Sequence, residues 1–450
     1  MPSNTSGPYA IVVGAGISGL TAAHELKKAG YGVTVLEAEE FIGGKMSSVE
    51  HGPYRYNRAA NILPTSGGTL LRLMKETGVG EGMETLAPRM GFLRGGTVHH
   101  LKAGGPAAAL DFLNLKLLSF SSKRKIAHLV VDILRVRKSL SAENPGLAAP
   151  FDTESAAGYA RRRLDEELLE YFVEPIVRAL HTSNADQVSV VDFFFTAAGF
   201  VGTGFSRYPG GIDFLCRALA DGLDVRLGAR VTRVSRDGDT VTVGWTVDGV
   251  AQTETADAVV LAVGAHEIPR LYPQLPARQR EILTHHIGYA ATFAAHFGLT
   301  ARPDNPAHLV PVPKSESEGL CVVAFDHNLN PSSAPPGKGL LTSYWLHEWS
   351  VLRRGMSDEE LTAEMLKELE KAVPGIRELL AFSAIDRWNE GVVRSYPGMY
   401  AKVGEFNRLV EPTSPVQMAG DYLSNSSTNG SALSGEIAAR RIVAALGSGN

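Results

Sequence analysis

The sequence predicts an α/β fold, in which a parallel sheet carries helices and is joined to a second, mixed α+β part with a helical insert. An apolar run at residues 10–13 precedes a helix-spaced apolar pattern over residues 17–26, and a second apolar run follows at residues 33–36. Residues 225–263 have the alternation and turn residues of a β-meander, whereas residues 86–204 are mostly helical in period. The 450 residues leave room for two or three domains.

The composition excludes several classes of protein. With 44% hydrophobic and 20% charged residues, the chain is typical of a globular protein and not of a disordered one. Its 44 Lys and Arg against 48 Asp and Glu give a net charge of −4, so we expect no nucleic-acid partner. Cys216 and Cys321 lack the spacing of a disulfide framework or a metal site, and we interpret them as packed thiols in a reducing, cytoplasmic setting. Residues 1–7 show no secretion signal, and no apolar run reaches the ~18–20 residues of a membrane-spanning helix.

The first predicted strand ends in a glycine-rich turn. Gly14, Gly16 and Gly19 have a spacing in which the first glycine allows a tight turn, the second lets a pyrophosphate approach, and the third lets helix and strand pack closely. The helix that begins beside Ser18 offers unpaired N–H groups to the phosphates. Glu37 ends the second strand, where a carboxylate accepts hydrogen bonds from ribose hydroxyls. This unit predicts a Rossmann-like dinucleotide site.

The residues after Glu37 indicate which dinucleotide is bound. Gly43, Gly44 and Lys45 follow it, and they resemble the Gly-Gly-Arg turn of the flavin amine oxidase superfamily, which includes protoporphyrinogen oxidases and carotenoid desaturases. In that family the turn passes close to the ribityl-phosphate arm of FAD. The resemblance implies the same contact here, although lysine keeps only the charge of arginine and loses its planar fork.

A second part of the resemblance lies near the C-terminus. Gly420 and Asp421, followed by a helix that opens around Ser431 and Ala432, are similar to the closing motif of the family. In that motif a turn meets the ribityl chain, and the helix N-terminus points at flavin N1 and C2=O, where negative charge develops on reduction. The resemblance also implies a backbone contact of Val231, in the meander, on the adenine side.

The motifs predict a discontinuous FAD-binding domain and a substrate-binding domain. The first consists of residues 1–85, 205–285 and 385–450, and the second of residues 86–204 and 286–384. The sequence holds no second strand–glycine–helix unit, so oxygen or another electron acceptor, and not a bound nicotinamide, is expected to reoxidise the flavin. Family members with a cysteinyl flavin carry a cysteine in the segment matching residues 394–400. This chain has none there, and we therefore predict non-covalent FAD.

The protoporphyrinogen oxidase-like branch matches the motif pattern best. The arginine run at 161–163, Glu174-Pro175 and Arg387-Trp388 are similar to segments of that branch. The strand predicted around 289–295 lacks the lysine that amine oxidases place near flavin N5, and Ser427 stands where monoamine-type enzymes have an aromatic residue. Both departures favour a larger, apolar substrate.

The resemblance thus implies an FAD-dependent oxidoreductase that removes two electrons by hydride transfer to flavin N5 from a bulky, largely apolar substrate. The reaction would be a protoporphyrinogen oxidase-like or desaturase-like dehydrogenation. Two alternatives stay open, namely oxidation of an amine or amide C–N bond in secondary metabolism and a flavoprotein isomerase with no net redox change. Trp388, Tyr396 and His181 are candidate catalytic residues because they lie in segments expected near the flavin, while core packing explains each of them equally well.

Residues 121–140 have the pattern of a basic amphipathic helix, and an apolar cluster precedes it at residues 110–118. Two interpretations stay open: the leucines line the core of the substrate domain, or the segment makes weak peripheral contact with an anionic membrane. The other expected partners are a small-molecule substrate and an electron acceptor. The sequence does not indicate an oligomeric state or a metal site.

Overall fold

The computed structural model describes residues 7–65, 68–81, 83–102, 108–200, 204–208 and 210–447, so residues 1–6 of the segment predicted to carry no secretion signal lie outside it. The strands, numbered in chain order, are β1 (Tyr9–Val13), β2 (Gly32–Leu36), β3 (Ser48–His51), β4 (Tyr54–Asn57), β5 (Glu84–Leu86), β6 (Arg89–Arg94), β7 (Thr97–Lys102), β8 (Phe205–Arg207), β9 (Asp224–Arg226), β10 (Arg230–Asp237), β11 (Thr240–Val247), β12 (Val250–Ala256), β13 (Ala258–Leu261), β14 (Tyr289–Leu299), β15 (Leu309–Pro311), β16 (Leu320–Phe325), β17 (Gly339–Trp345), β18 (Leu380–Val393) and β19 (Val416–Met418).

The α-helices are α1 (Ile17–Lys28), α2 (Gly68–Glu76), α3 (Ala108–Asn114), α4 (Phe120–Val136), α5 (Ala156–Arg163), α6 (Glu166–Leu168), α7 (Glu174–His181), α8 (Val190–Phe200), α9 (Phe214–Ala220), α10 (Ile268–Leu271), α11 (Ala277–Glu281), α12 (Asp326–Leu329), α13 (His347–Arg353), α14 (Asp358–Ala372), α15 (Ile376–Leu379), α16 (Met399–Leu409) and α17 (Thr428–Leu446). Among the described helices, none has the length and apolar character needed to cross a bilayer.

The predicted parallel sheet has the strand order β19-β13-β1-β2-β9. Successive residues of β1 pack in opposite directions, as the pleat of a strand requires. Ala10 and Val12 belong to a core cluster with residues of α1, α9 and α17, whereas Ile11 and Val13 belong to a cluster with the strands of the meander. The sheet is therefore covered on both faces, which explains why its strands are apolar throughout, and the α/β prediction is confirmed.

The predicted meander is a three-stranded antiparallel sheet in the order β10-β11-β12. Asp248 and Gly249, which link its last two strands, have φ values of +50° and +76°, the conformation that a tight hairpin turn needs. The chain then returns to the parallel sheet as β13. The meander therefore packs on the sheet face that α1 leaves open.

A larger mixed sheet forms the substrate side, with the order β18-β14-β17-β16-β15-β6-β7. Phe293 and Phe297 of β14 point to a core shared with Leu361, Met365 and Leu369 of α14. The opposite face carries the intervening residues of each strand, because side chains alternate along a strand. That second face lies toward β4 and the segment that follows it.

The helical insert consists of α3–α8 and lies in the chain between β7 and the remaining strands of this sheet. The basic helix predicted over residues 121–140 is present as α4, and the Ser119 side chain caps it by accepting a hydrogen bond from Ser122 N. The domain boundary that we predicted at residue 385 falls inside β18, so residues 385–393 pair with β14 in the substrate-side sheet. The strand runs on into the loop before α16 and so connects the two parts of the molecule.

Candidate functional site

The glycine-rich turn lies between β1 and α1, at the carboxyl ends of the parallel strands. Gly14 has a φ of +101°, and a Cβ added there would lie 2.6 Å from Ala262 O. A Cβ on Gly19 would lie 1.9 Å from Gly14 O, so this glycine allows the helix to pack on its own turn. Around Gly16, in contrast, a Cβ would meet no atom within 4 Å. Gly14 and Gly19 are therefore required by the close packing of the protein itself. Gly16 instead leaves open space at the N-terminus of α1.

The N-terminal turn of α1 is suited to an anion. No side chain caps Gly16, the N-cap residue, and the first turn has no acidic residue. The backbone N–H groups there carry the positive end of the helix dipole. Ser18, one of the predicted binding residues, is buried in this turn.

Glu37 reaches the same turn from the end of β2. Its Oε2 accepts a hydrogen bond from Ala15 N at 2.6 Å, and its Oε1 accepts one from Glu39 N at 2.9 Å. Burial raises the pKa of this carboxyl, and the hydrogen bonds from the backbone oppose that shift. Each oxygen keeps acceptor capacity beyond its one amide donor, so the carboxylate could still bind the two hydroxyls of a ribose.

The second glycine turn packs directly against the first. Gly43 N donates to Ala15 O at 2.8 Å, and Gly43 forms a parallel bridge with Gly16. Gly43 and Gly44 both have positive φ, +98° and +53°, which explains the glycine pair. The turn predicted from the Gly-Gly-Lys motif is thus beside the dinucleotide turn.

Lys45 links this turn to the C-terminal motif. Its Nζ lies 2.8 Å from Asp421 Oδ2, and the two residues are 376 positions apart in the sequence. The ammonium also lies 5.3 Å from the centre of the Tyr289 ring, at the start of β14. Sequence reasoning missed Tyr289, because nothing in the pattern of its strand sets it apart from a core residue.

The closing helix α17 begins in the same area. Ser427 is its N-cap, and its side chain accepts a hydrogen bond from Gly430 N at 3.0 Å. Gly420 N donates to Ser434 Oγ at 2.8 Å, and that hydroxyl donates to Ser431 O at 2.7 Å. These bonds tie the turn after β19 to the first turns of α17.

The packing of α17 explains two further residues of the closing motif. Ala432 is fully buried in the core cluster that includes residues of α1. A Cβ on Gly435 would lie 2.0 Å from Ser18 O, so α1 and α17 approach each other too closely for any side chain at that position. The first turn of α1 therefore packs against the second turn of α17.

Val231, the residue predicted on the adenine side, is buried near the start of β10. The strand is joined to the end of β2, because Ala229 N donates to Glu37 O at 2.7 Å. A bulge between Val231 and Arg233 interrupts the ladder with β11 at this point. The structure thus brings Val231 close to the Glu37 end of the site.

The inner face of the substrate-side sheet is defined here as the face directed toward residues 56–61. Trp388 Nε1 donates to Arg58 O at 3.0 Å, and Tyr344 OH donates to Ala59 O at 2.6 Å. The facing segment is joined to the second glycine turn, since Ala60 N donates to Lys45 O at 2.8 Å. The inner face and the glycine turns therefore meet across a single segment of chain.

The inner face also carries a charged group that sequence reasoning missed. Arg58 Nη1 donates to Asp386 Oδ1 at 2.5 Å, and Asp386 Oδ2 lies 3.2 Å from Nε2 of the fully buried His296. The Tyr56 ring stacks on the imidazole with the ring centres 4.1 Å apart. A histidine inside an otherwise apolar strand was the one available signal.

The three candidate catalytic residues occupy different surroundings. Trp388 lies on the inner face, paired with Thr292 of β14. Tyr396 lies in the loop after β18, and its hydroxyl donates to His286 O at 2.9 Å. His181 ends α7, is buried in the helical insert, and has no hydrogen-bond partner for either ring nitrogen among the described residues. Burial lowers its pKa, so the ring is neutral. No hydrogen bond within the described residues joins it to the other two.

The two cysteines are buried and free, as predicted. Burial raises the pKa of the Cys216 thiol to about 12 and that of Cys321 to about 11, so neither forms a reactive thiolate at neutral pH. Within the described residues, no three His, Cys, Asp or Glu side chains are arranged to hold a metal ion.

Comparison with known proteins gives one family and several relatives. The family model described as flavin containing amine oxidoreductase matches residues 17–443. The chain is 31% identical to the mitochondrial protoporphyrinogen oxidase of Nicotiana tabacum over 189 residues, which is 42% of this chain and 35% of that protein. The chain thus spans about a third of the length of that relative. It is 21% identical to coproporphyrinogen III oxidase of Bacillus subtilis (strain 168), with 94% of each chain covered.

A solved structure supports the fold. The cyclohexylamine oxidase of Brevibacterium oxydans IH-35A has a TM-score of 0.76 and 17% sequence identity, and the match covers 98% of this chain and 99% of that one. At this identity the likeness concerns the fold alone. It agrees with the predicted α/β fold class.

Proposed function

The chain belongs to the family of flavin containing amine oxidoreductases, and on this premise we propose that it binds FAD non-covalently and oxidises a bulky, largely apolar substrate by hydride transfer to flavin N5. It is a flavin-dependent oxidoreductase, as its matches to oxidases across the family indicate. The observation that carries the finer proposal is the junction of three sequence motifs, since the Gly16–Gly43 bridge and the Lys45–Asp421 ion pair bring them to one place.

The residues present fit an FAD molecule. The open space over Gly16 and the uncapped N-terminus of α1 would receive the pyrophosphate, and Glu37 would bind the adenosine ribose. Val231 would contact the adenine side through its backbone. Gly43, Gly44 and Lys45 would line the ribityl arm, with Gly420 and Asp421 opposite them.

The flavin supplies the two-electron chemistry, and the protein supplies position and electrostatics. The N-terminal end of α17, near Ser431 and Ala432, would place the positive end of the helix dipole at the N1–C2=O edge and stabilise negative charge there. Trp388 and Tyr344 would form one wall of the substrate site, because both reach from the inner face to the segment next to the second glycine turn. The catalytic roles of Tyr396 and His181 stay predictions.

Anaerobic mixing with candidate substrates tests this proposal. The flavin absorption should bleach with a porphyrinogen, a polyene or a steroid, and stay unchanged with benzylamine and tyramine. The expected product has lost two hydrogens, and readmission of oxygen should produce peroxide unless another acceptor is needed. Fast bleaching by the simple amines, with imine hydrolysis products, would instead identify a C–N oxidase. Product formation with no bleaching would identify an isomerase.

Acid precipitation tests the mode of FAD binding. All yellow colour should stay in the supernatant, because no cysteine lies in residues 394–400 to carry the flavin. Colour that remains with the denatured protein would show a covalent link and overturn this part of the proposal.

We also propose a cytoplasmic location with weak, reversible contact between α3–α4 and anionic lipid. The structure divides the apolar cluster of residues 110–118: Leu115, Leu117 and Leu118 are buried, whereas Leu110 and Leu113 are 62% and 55% exposed. Three of its leucines are thus core residues. Leu110 and Leu113 would contact lipid together with the exposed apolar and basic residues of α4, which are Phe120, Arg124, Val130, Val131, Leu134 and Arg135.

A further inference from the structure

A continuous line of polar groups crosses the inner face. Arg58 Nη1 donates to Asp386 Oδ1 at 2.5 Å, and Asp386 Oδ2 lies 3.2 Å from His296 Nε2. On the other side of the imidazole, His296 Nδ1 lies 3.0 Å from Thr342 Oγ1, and this hydroxyl lies 2.7 Å from Asp326 Oδ2. The line therefore joins two carboxyl groups through one imidazole and one hydroxyl.

The two ends of the line differ in their access to solvent. The side chains of Arg58 and Asp386 are 28% and 16% exposed, whereas the three inner members are 5% exposed or less. The exposed end lies beside the proposed flavin site, because Arg58 N donates to Ser47 O at 3.0 Å and Trp388 Nε1 donates to Arg58 O. Solvent and substrate therefore have readier access to the Asp386 end of the line than to its inner members.

The directions of the hydrogen bonds limit how many protons the line holds. When Thr342 donates its single proton to an ionised Asp326, its oxygen must accept from His296 Nδ1. A neutral imidazole then turns an unprotonated Nε2 toward the carboxylate of Asp386, so that two acceptors face each other.

One extra proton removes this conflict in either of two positions. On His296 it gives an imidazolium that donates to both neighbours. On Asp326 it reverses the Thr342 hydroxyl, which then donates to Nδ1, and Nε2–H donates to Asp386. Both arrangements satisfy every contact, and they differ only by the turn of one hydroxyl and the shift of its neighbouring protons.

We propose that Asp386, His296, Thr342 and Asp326 form a proton relay for substrate oxidation, an inference that rests on the proposed function. In the oxidation, a C–H bond breaks and its hydrogen leaves with both electrons as a hydride to the flavin. The second hydrogen leaves as a proton, and its bonding electron pair forms the new double bond of the product. That proton enters at Asp386 and is shared between His296 and Asp326 until dioxygen or a quinone takes up both electrons and both protons.

The neighbouring titratable groups do not compete with the relay for the substrate proton. The other titratable or charged groups that face the relay from the elements packed against it are Tyr56, Arg58, Tyr208, His327 and Tyr344. Burial raises the pKa of all three tyrosines, so their hydroxyls stay protonated. His327 Nδ1 is occupied by the backbone of Leu340, and burial lowers its pKa.

The pKa shifts agree with a shared proton. Burial raises the pKa of Asp326 to about 7, against the hydrogen bonds from Asn61 and Thr342 that lower it. Burial lowers the pKa of His296, and the bond to Asp386 opposes that shift. The ordinary values of the two groups are about 3.9 and about 6.5, so burial reverses the usual order of their proton affinities and favours Asp326 as the place of the extra proton. A proton that enters at Asp386 can therefore pass through His296 and Thr342 to Asp326.

Two variants of Thr342 test the relay in the FAD-loaded enzyme. Thr342→Val keeps the volume and removes the hydroxyl, and Thr342→Ser keeps the hydroxyl. With a substrate that bleaches the wild-type flavin, Thr342→Val should slow flavin reduction at least tenfold and lose both the pH dependence near neutrality and the solvent isotope effect. Thr342→Ser should restore the wild-type pH profile. Identical profiles and isotope effects for wild type, Thr342→Val and Thr342→Ser, with reduction intact, would overturn the relay and leave the proposed function standing.

A second measurement needs no substrate. Because the folded-state pKa of Asp326 is raised, the stability that this group contributes is present at low pH and is lost as pH rises from about 4 to about 7. Asp326→Asn imitates the protonated carboxyl, so its melting temperature relative to wild type should increase between pH 4.5 and pH 8. A constant difference would overturn the relay. Failure of every substrate to bleach the wild-type flavin would overturn the proposed function and the relay together.

Discussion

The two sheets of this protein form their parts of the site in different ways. At the parallel sheet, the candidate cofactor site is built from backbone and glycine, and Gly14, Gly19 and Gly43 allow approaches that no side chain permits. At the substrate-side sheet, the inner face is built from side chains of β14, β17 and β18, from Asp326 at the start of α12, and from the segment after β4. Backbone sites depend on short, contiguous motifs, whereas the inner face depends on residues far apart in sequence.

The difference concerns energetics as well as sequence. A change in the glycine turns alters the path of the chain itself, and close packing gives it no room to relax. A change on the inner face removes one hydrogen bond, worth about 1 kcal/mol, and leaves the sheet in place. We therefore expect changes near the first sheet to affect folding and FAD retention, and changes near the second to affect turnover.

The largest effect is expected for Gly19→Ala. Its Cβ would lie 1.9 Å from Gly14 O, so the free energy of unfolding should fall by about 3 kcal/mol or more, with or without FAD. Denaturant unfolding of the FAD-free protein measures this. Gly16→Ala is the matched control, because its Cβ meets no atom within 4 Å: it should unfold like wild type and yet bind FAD more weakly. Equal stability of both variants would contradict the close approach of α1 to its turn.

The next effect is expected for Glu37→Ala. Loss of the carboxylate removes charge-assisted hydrogen bonds to both ribose hydroxyls, which should weaken FAD binding by roughly 2–3 kcal/mol. The protein should purify largely colourless and fold when FAD is added in excess. Fluorescence titration of the apoprotein measures the affinity. Unchanged affinity would falsify the ribose role of Glu37.

A smaller effect is expected for Trp388→Phe. This variant loses the hydrogen bond from Nε1 to Arg58 O, about 1 kcal/mol, and should keep its FAD while flavin reduction by substrate slows. Tyr344→Phe is a matched variant on the same face, since it loses the bond to Ala59 O. If either protein purified without colour, the inner face would be part of the cofactor site and the contrast between the two sheets would fail.

The smallest effect concerns lipid. Wild-type protein should float weakly with anionic vesicles at low salt and not at moderate salt, because each nearby Lys or Arg contributes about 1 kcal/mol that salt screens. Leu113→Ser combined with Leu134→Ser should abolish flotation. Leu352→Ser, at a leucine that is 81% exposed on α13, should leave it unchanged. Protein that stays at the bottom at low salt would show that α3–α4 makes no membrane contact.

The sequence alone was sufficient for the α/β class, the meander and the flavin family, because each depends on local spacing. Gly14, Gly16 and Gly19 sit within six residues, and hairpin turns such as Asp248-Gly249 are short and chemically specific. The two buried thiols were also predictable, since Cys216 and Cys321 had no spacing that suggested another use. The roles of individual residues in binding FAD stay predictions.

Only the tertiary structure decided how the rest of the site is assembled. The pairing of Lys45 with Asp421, the line from Arg58 to Asp326 and the separation of His181 from Trp388 depend on strand register and on which faces of the two sheets meet. The contacts of Lys45 with Asp421 and of Arg58 with Asp386 join residues more than 300 positions apart, and the others still join separate elements of structure. The sheet order decides which of them share a face, because alternation along a strand assigns every second residue to the same side.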